Sequence, residues 1–154
     1  MAKLNHTPGV IAPPPLIYAG MLTAAWLFDT ETPWNIFRQD AYLLGVILLI
    51  VGGLLAASAM LTMRRAGAAV SPYKTSRVLV TKGPFRISRN PIYLALTLVY
   101  LGLALLLNTA WALLLLPILI GVMVVGVILR EERYLLLRFG GEYLKYKFKV
   151  RRWF

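Results

Sequence analysis

Two stretches without a single charged residue limit what this chain can fold into: Ala41 to Met63, 23 residues, and Ile92 to Leu129, 38 residues. An α-helix rises about 1.5 Å per residue and a bilayer's hydrocarbon core is about 30 Å thick, so roughly 20 apolar residues make one crossing. The first run is therefore one span. The second is two, with Asn108 and Thr109 as the polar pair that marks a hairpin. Charged residues make up only 15% of the chain, against about a quarter in an average soluble protein, which fits a bilayer as solvent.

A further span is expected first, over about residues 10–28. Leu16 to Phe28 is apolar, and Pro13, Pro14 and Pro15 fit a first helical turn, where a missing N–H costs nothing. A cleaved signal peptide is the competing reading. Against it, Lys3 is the only charge ahead of the apolar core and three prolines interrupt the approach. The expected fold is all-α, one membrane domain with four transmembrane helices over about 10–28, 41–63, 92–107 and 110–129. A cytoplasmic loop, 64–91, and a cytoplasmic tail carrying an amphipathic helix, 130–154, complete it. Small residues four apart, Gly52 with Ala56 and Gly53 with Ala57, predict close helix packing within the bundle. Pro117 predicts a kink in the last span.

Charge sets the orientation. Seven basic residues and no acid fall between the second and third spans: Arg64, Arg65, Lys74, Arg77, Lys82, Arg86 and Arg89. Eight more follow the last span: Arg130, Arg133, Arg138, Lys145, Lys147, Lys149, Arg151 and Arg152. The first interspan loop instead sets Asp29, Glu31 and Asp40 against Arg38. By the positive-inside rule, loop, tail and both termini are expected on the cytoplasmic side of the plasma membrane. A nucleic-acid partner is not expected for this basic surface. No nucleic-acid motif accompanies the charges, and topology with attraction to anionic headgroups accounts for them.

With no cysteine, disulfides, thiolate metal sites and cysteine nucleophiles are excluded. The only histidine is His6, near the N-terminus, so neither a metal site nor a histidine base is expected. The cytoplasmic carboxylates are Glu131, Glu132 and Glu142. The pair Glu131–Glu132 follows directly on the uncharged run, where an ionised carboxylate costs energy unless a cation meets it. Pairing with Arg130 or Arg133 is the plain structural reading. Tyr93 and Phe85 have a matching plain reading as interfacial anchors. The tail, Arg130 to Phe154, mixes bases with Leu, Tyr, Trp153 and Phe154, breaks at Gly140–Gly141, and is expected to lie along the interface as a lid.

Several elements occur together in order: Leu79-Val80-Thr81-Lys82-Gly83-Pro84-Phe85, then Arg89-Asn90-Pro91-Ile92-Tyr93, a helical hairpin, Glu131-Glu132, Phe139-Gly140, Tyr143 and Tyr146. This pattern, over roughly residues 70 to 152, resembles the isoprenylcysteine carboxyl methyltransferases and their phospholipid methyltransferase relatives. The resemblance implies an S-adenosylmethionine site at the cytoplasmic edge, closed by the tail, with a lipid or isoprenoid acceptor entering from the bilayer. Carried over, the cofactor-binding residues are Arg77, Val78, Leu79 and Val80, then Phe85, Arg89, Asn90, Pro91, Ile92 and Tyr93, and Glu131. For an amine substrate, Glu132 or bound water is the expected proton acceptor. The family's turn often has histidine where this chain has Asn90, which can hydrogen-bond but cannot act as a base. The arginine that the carboxyl methyltransferases carry four residues before the cofactor glutamate is Val127 here. A nicotinamide-dependent membrane reductase and a non-catalytic helical bundle remain the alternative readings, and the chain's oligomeric state is left open.

Overall fold

The computed structural model describes residues 8–37, 40–69 and 77–153. Lys3, His6, Arg38, Lys74 and Phe154, which entered the reading of charge and motif, lie outside the described residues. Helices follow one another as α1 (Pro14–Glu31), α2 (Asp40–Arg65), a 3-10 turn (Gly83–Arg86), α3 (Pro91–Leu106), α4 (Ala110–Met123), a π segment (Val124–Ile128), α5 (Leu129–Phe139) and α6 (Gly141–Lys149). No strand occurs among the described residues, so the all-α class is met.

Two helical stretches, Ala41–Arg65 and Ala110–Phe139, are long and apolar enough to cross a membrane. The expected first span shifts. Residues 8–13 are irregular, and the helix begins at Pro14 with Pro13, which has no N–H and a fixed φ, as its N-cap. At 18 and 16 residues, α1 and α3 measure about 27 and 24 Å, a little under a full hydrocarbon thickness.

Close helix packing is realised between α2 and α3, at Gly52 as expected and also at Gly45. A Cβ on Gly45 would sit 3.0 Å from the Gly102 carbonyl, and one on Gly52 2.9 Å from that of Ala95. Backbone meets backbone there, so any side chain would force the helices apart. Gly53 faces open space. The outer face of α2, with Leu43, Ile47, Ile50 and Leu54, stays exposed as a contiguous apolar surface suited to lipid.

A second seam joins α1 to α4 and α3. Tyr18, Ala25, Tyr100, Leu119, Met123, Val127 and Ile128 form a shared buried cluster. The Tyr18 and Tyr100 rings meet edge to face at 6.2 Å, and the Tyr100 hydroxyl donates to the Ala112 carbonyl at 2.8 Å, pinning the α3–α4 hairpin. That hairpin turns on Asn108, at φ 52°, as its sequence led one to expect. At the same end Trp111 stacks near Phe28 and Trp34, while its indole donates to the Thr32 carbonyl, giving an aromatic cluster of the kind found at membrane interfaces. The basic turns and tail lie at the other end.

Pro117 lies inside α4, which runs on through it, and the change of register comes at the π segment. The Leu129 N–H donates to the Val124 carbonyl, five residues back. One extra residue in a turn rotates everything downstream by about 100° relative to an unbroken α-helix. The irregular segment ahead of α1 packs onto this turn. Ile11 N–H donates to the Gly126 carbonyl at 3.2 Å, and the Ile11 side chain occupies the space a Cβ on Gly126 would need.

Candidate functional site

The Gly83–Pro84 turn predicted from sequence forms as a 3-10 helix against α2. Gly83 has φ 59°, and a Cβ there would approach Thr62 Oγ1 to 2.8 Å, so both conformation and space call for glycine. The turn buries Phe85, whose carbonyl accepts the Tyr146 hydroxyl at 2.7 Å from α6. Ser88, Arg89 and Asn90 then bind the chain's last residues. Arg89 N–H donates to the Arg151 carbonyl at 3.0 Å, and Ser88 Oγ and Asn90 Nδ2 both donate to the Arg152 carbonyl. Pro91 opens α3, so Tyr93 sits in its first turn.

These elements enclose a cavity of about 140 Å³ between the Gly-Pro turn, the start of α3, the start of α5 and the face of α6. Sequence-designated residues make up most of its wall. Val78, Leu79 and Val80 supply an apolar strip, and Phe85 an aromatic face. Arg89, Asn90, Pro91, Ile92 and Tyr93 come from the turn and α3, and Glu131 and Glu132 from α5. Arg77 is exposed and stands outside the lining. Further wall comes from Met63 and Ala68 at the end of α2, Tyr134 and Leu135 of α5, Tyr143 and Tyr146 of α6, and Pro8. Tyr143 and Tyr146 were visible as an i, i+3 pair on one helical face, within the motif pattern. Nothing in the sequence pointed to Pro8.

The two adjacent glutamates face different surroundings. Glu131 points to α3, where Tyr93 donates its hydroxyl to Oε1 at 2.6 Å. Protein packs around this carboxyl on the sides away from the cavity. That desolvation outweighs the Tyr93 hydrogen bond and pushes its pKa up to about 7. Tyr93 is itself braced, because the Tyr18 hydroxyl of α1 meets the Tyr93 carbonyl at 3.2 Å and Thr97 Oγ1 at 2.8 Å.

Glu132 faces the tail. Arg152 grips it with two parallel bonds, Nε to Oε1 at 2.9 Å and Nη2 to Oε2 at 3.0 Å. Arg89 Nη2 lies 3.3 Å from Oε1 and Lys147 Nζ 3.8 Å from Oε2. Burial alone would raise this carboxyl, but the Arg152 hydrogen bond and the charges of Arg89, Arg152 and Lys147 together hold it below the usual carboxylate range. So placed, Glu132 is the anion that three basic side chains share. The expected pairing with Arg130 or Arg133 is not what these surroundings show. Arg130 Nη1 instead reaches the Gly9 carbonyl at 2.8 Å. Burial, with the nearby Glu132 charge, pushes the Tyr143 hydroxyl up to about 12, and burial first of all raises Tyr146, so both act as neutral hydroxyls.

Val127 is fully buried in the helical core, so no cation reaches the site from that position. Trp153 packs against the same core, so the tail's end is anchored in protein rather than lying free along the surface. Among the described residues no group of histidines and carboxylates could hold a metal ion.

Comparison with known proteins agrees with this geometry. No individual curated protein and no solved structure gives a significant match. The model of the phospholipid methyltransferase family does match, over residues 40–142, which takes in α2, the Gly-Pro turn, α3, α4 and both glutamates. Two thirds of the chain, including almost the whole cavity wall, therefore falls within that match, and the chain belongs to the phospholipid methyltransferase family.

Proposed function

We propose that this protein transfers a methyl group from S-adenosylmethionine to a lipid or isoprenoid-type acceptor dissolved in the bilayer. The observation that carries this reading is the convergence of residues 78–80, 85 and 89–93 with Glu131 and Glu132 on one cavity at the basic end of a family member. The membrane placement that fits is four crossings by α1 to α4, with the cavity at the cytoplasmic edge and the tail closing it.

The lining suits the donor's parts. Its sulfonium is a cation that an aromatic face such as Phe85 or Tyr93 attracts. Its amino group or ribose hydroxyls match Glu131, which ionises readily when a cationic group arrives beside it. The reaction is an in-line displacement in which the acceptor atom forms a bond to the methyl carbon as the sulfur–carbon bond breaks and its electron pair stays on sulfur. A carboxylate or thiolate acceptor needs no base. An amine must shed a proton, and since Glu132 is held as an ion-pair anchor, that proton leaves through water. Holding both substrates in contact within the cavity supplies a large part of the rate.

The test is to offer purified protein S-adenosylmethionine labelled in its methyl group, and separately NADPH, with membrane lipid extract. Label appearing in the lipid fraction supports the reading. Oxidation of NADPH without label transfer would replace it by a reductase, and binding of neither would make the bundle non-catalytic.

A further inference from the structure

Residues 8–13, which precede both α1 and the stretch matched by the family, run along one flank of the cavity. Pro8 is part of the cavity wall. Gly9 has φ 64°, a conformation that glycine takes without strain. Val10 is buried in the cluster that holds Met123 and Val127. The Ile11 side chain, half exposed, sits in the notch at Gly126.

The walls of the cavity are held unequally. On the tail side, Arg89, Lys147 and Arg152 share Glu132, and the Arg151 and Arg152 carbonyls accept from Arg89, Ser88 and Asn90. On the N-terminal side no ion pair occurs among the described residues. Arg130 Nη1 donates to the Gly9 carbonyl at 2.8 Å, and the Ile11 N–H donates to the Gly126 carbonyl at 3.2 Å. Such hydrogen bonds add little net stability where water can replace them, and Arg130 is exposed. The remaining contacts of Val10 and Ile11 are apolar. Lifting these side chains into water is unfavourable, but a lipid chain entering beside Gly126 and Val127 replaces like with like.

We infer that residues 8–13 form a detachable strap, which an apolar molecule from the bilayer displaces to reach the cavity between α1 and the π segment. This deepens the methyl-transfer reading and rests on it for what passes, the methyl acceptor. The residues assigned to the donor, in the Gly-Pro turn and at the starts of α3 and α5, keep their places whether the strap is seated or lifted.

Because the chain has no cysteine, an engineered pair can hold the strap shut. Ile11 Cγ1, where a cysteine sulfur would lie, is 2.8 Å from the place of a Cβ on Gly126, which suits a disulfide in the double variant Ile11→Cys, Gly126→Cys. The full-length double variant is compared oxidised and reduced, by titration with S-adenosylhomocysteine and by transfer of labelled methyl to membrane lipid extract. Oxidation should lower transfer by roughly 10-fold or more, leave S-adenosylhomocysteine affinity unchanged, and be reversed by reductant. Equal transfer by the two forms overturns the strap, as does a loss of S-adenosylhomocysteine affinity on oxidation. Val10→Cys reports the strap's position without turnover and covers the case in which the double variant does not fold. Val10 is buried while the strap is seated, so adding membrane lipid extract to the detergent-solubilised variant should speed alkylation by N-ethylmaleimide at least about 3-fold. An unchanged rate overturns the inference. A wild-type protein that binds no S-adenosylhomocysteine and transfers no label refutes the methyl-transfer reading instead, and the alkylation rate then decides the strap by itself.

Discussion

Glu131→Gln separates the two uses a buried carboxyl can have, because stability and binding should move in opposite directions. The carboxyl's pKa rises from an ordinary 4.5 in the unfolded chain to about 7 in the folded protein. At 1.36 kcal/mol per pH unit, ionising it in place costs about 3 kcal/mol more than ionising it after unfolding. The folded protein holds the proton more tightly, so its stability is fully present below pH 4.5 and falls as pH rises through 7. Glutamine keeps the shape and can still accept the Tyr93 hydroxyl, but it cannot ionise. The ligand-free variant should therefore be more stable than wild type at pH 8, by up to about 3 kcal/mol or roughly 6–12 °C in melting temperature. The two proteins should converge below pH 4.5. Cofactor binding should respond the other way, because losing a charge-assisted hydrogen bond of about 1.5–3 kcal/mol weakens S-adenosylhomocysteine roughly 10- to 100-fold. Thermal melts at about pH 4 and pH 8, paired with calorimetric titration, measure both. A variant less stable than wild type at pH 8 with unaltered affinity would refute the reasoning and return Glu131 to a purely structural role.

Glu132→Gln removes the anion that Arg89, Lys147 and Arg152 share, and breaking such a buried pair costs about 3–5 kcal/mol. Trypsin should then cut the tail at Arg151 or Arg152 faster than in wild type, and an unchanged digestion pattern counts against the anchor. Because the folded protein depresses this carboxyl's pKa, its stabilisation is present above about pH 4.5 and should be lost as pH falls below it. Gly126→Ala should cost about 1–3 kcal/mol by displacing Ile11, and most of that cost should vanish in an Ile11→Ala background. Additive losses in that double-mutant cycle would show the two do not compete for space. Reporter fusions at residue 35 and at the C-terminus should report opposite sides of the membrane, and a shared side would remove the four-crossing placement.

Much of this architecture is legible in one dimension because it depends on local sums. A run of uncharged residues is helical and membrane-compatible wherever it sits, and an excess of bases marks one end regardless of packing. The Asn108–Thr109 hairpin, the break at Gly140 and the tight turn at Gly83 follow from single residues whose backbone preferences dominate. Recognition of the motif likewise needs only order and spacing, and it named most of the cavity wall.

What the sequence could not decide depends on elements far apart in the chain. Glu131 and Glu132 are equivalent as letters, and only rotation about α5 separates one toward Tyr93 from the other toward Arg152. That rotation is set in part by the π turn at Val124–Ile128, which hydropathy does not register because the residues are apolar in either helix type. The partners of Glu132 come from 20 residues onward and from the far side of the hairpin, whereas sequence proximity favoured Arg130 and Arg133. Adjacent helical residues point about 100° apart, so nearness in the chain misleads about pairing. Sequence thus determined which segments are helical, which end is basic and which residues gather at the cavity. Tertiary structure decided which carboxylate meets Tyr93, which one gathers the three basic side chains and that Pro8 closes part of the wall, since each depends on which surfaces meet once the helices have packed.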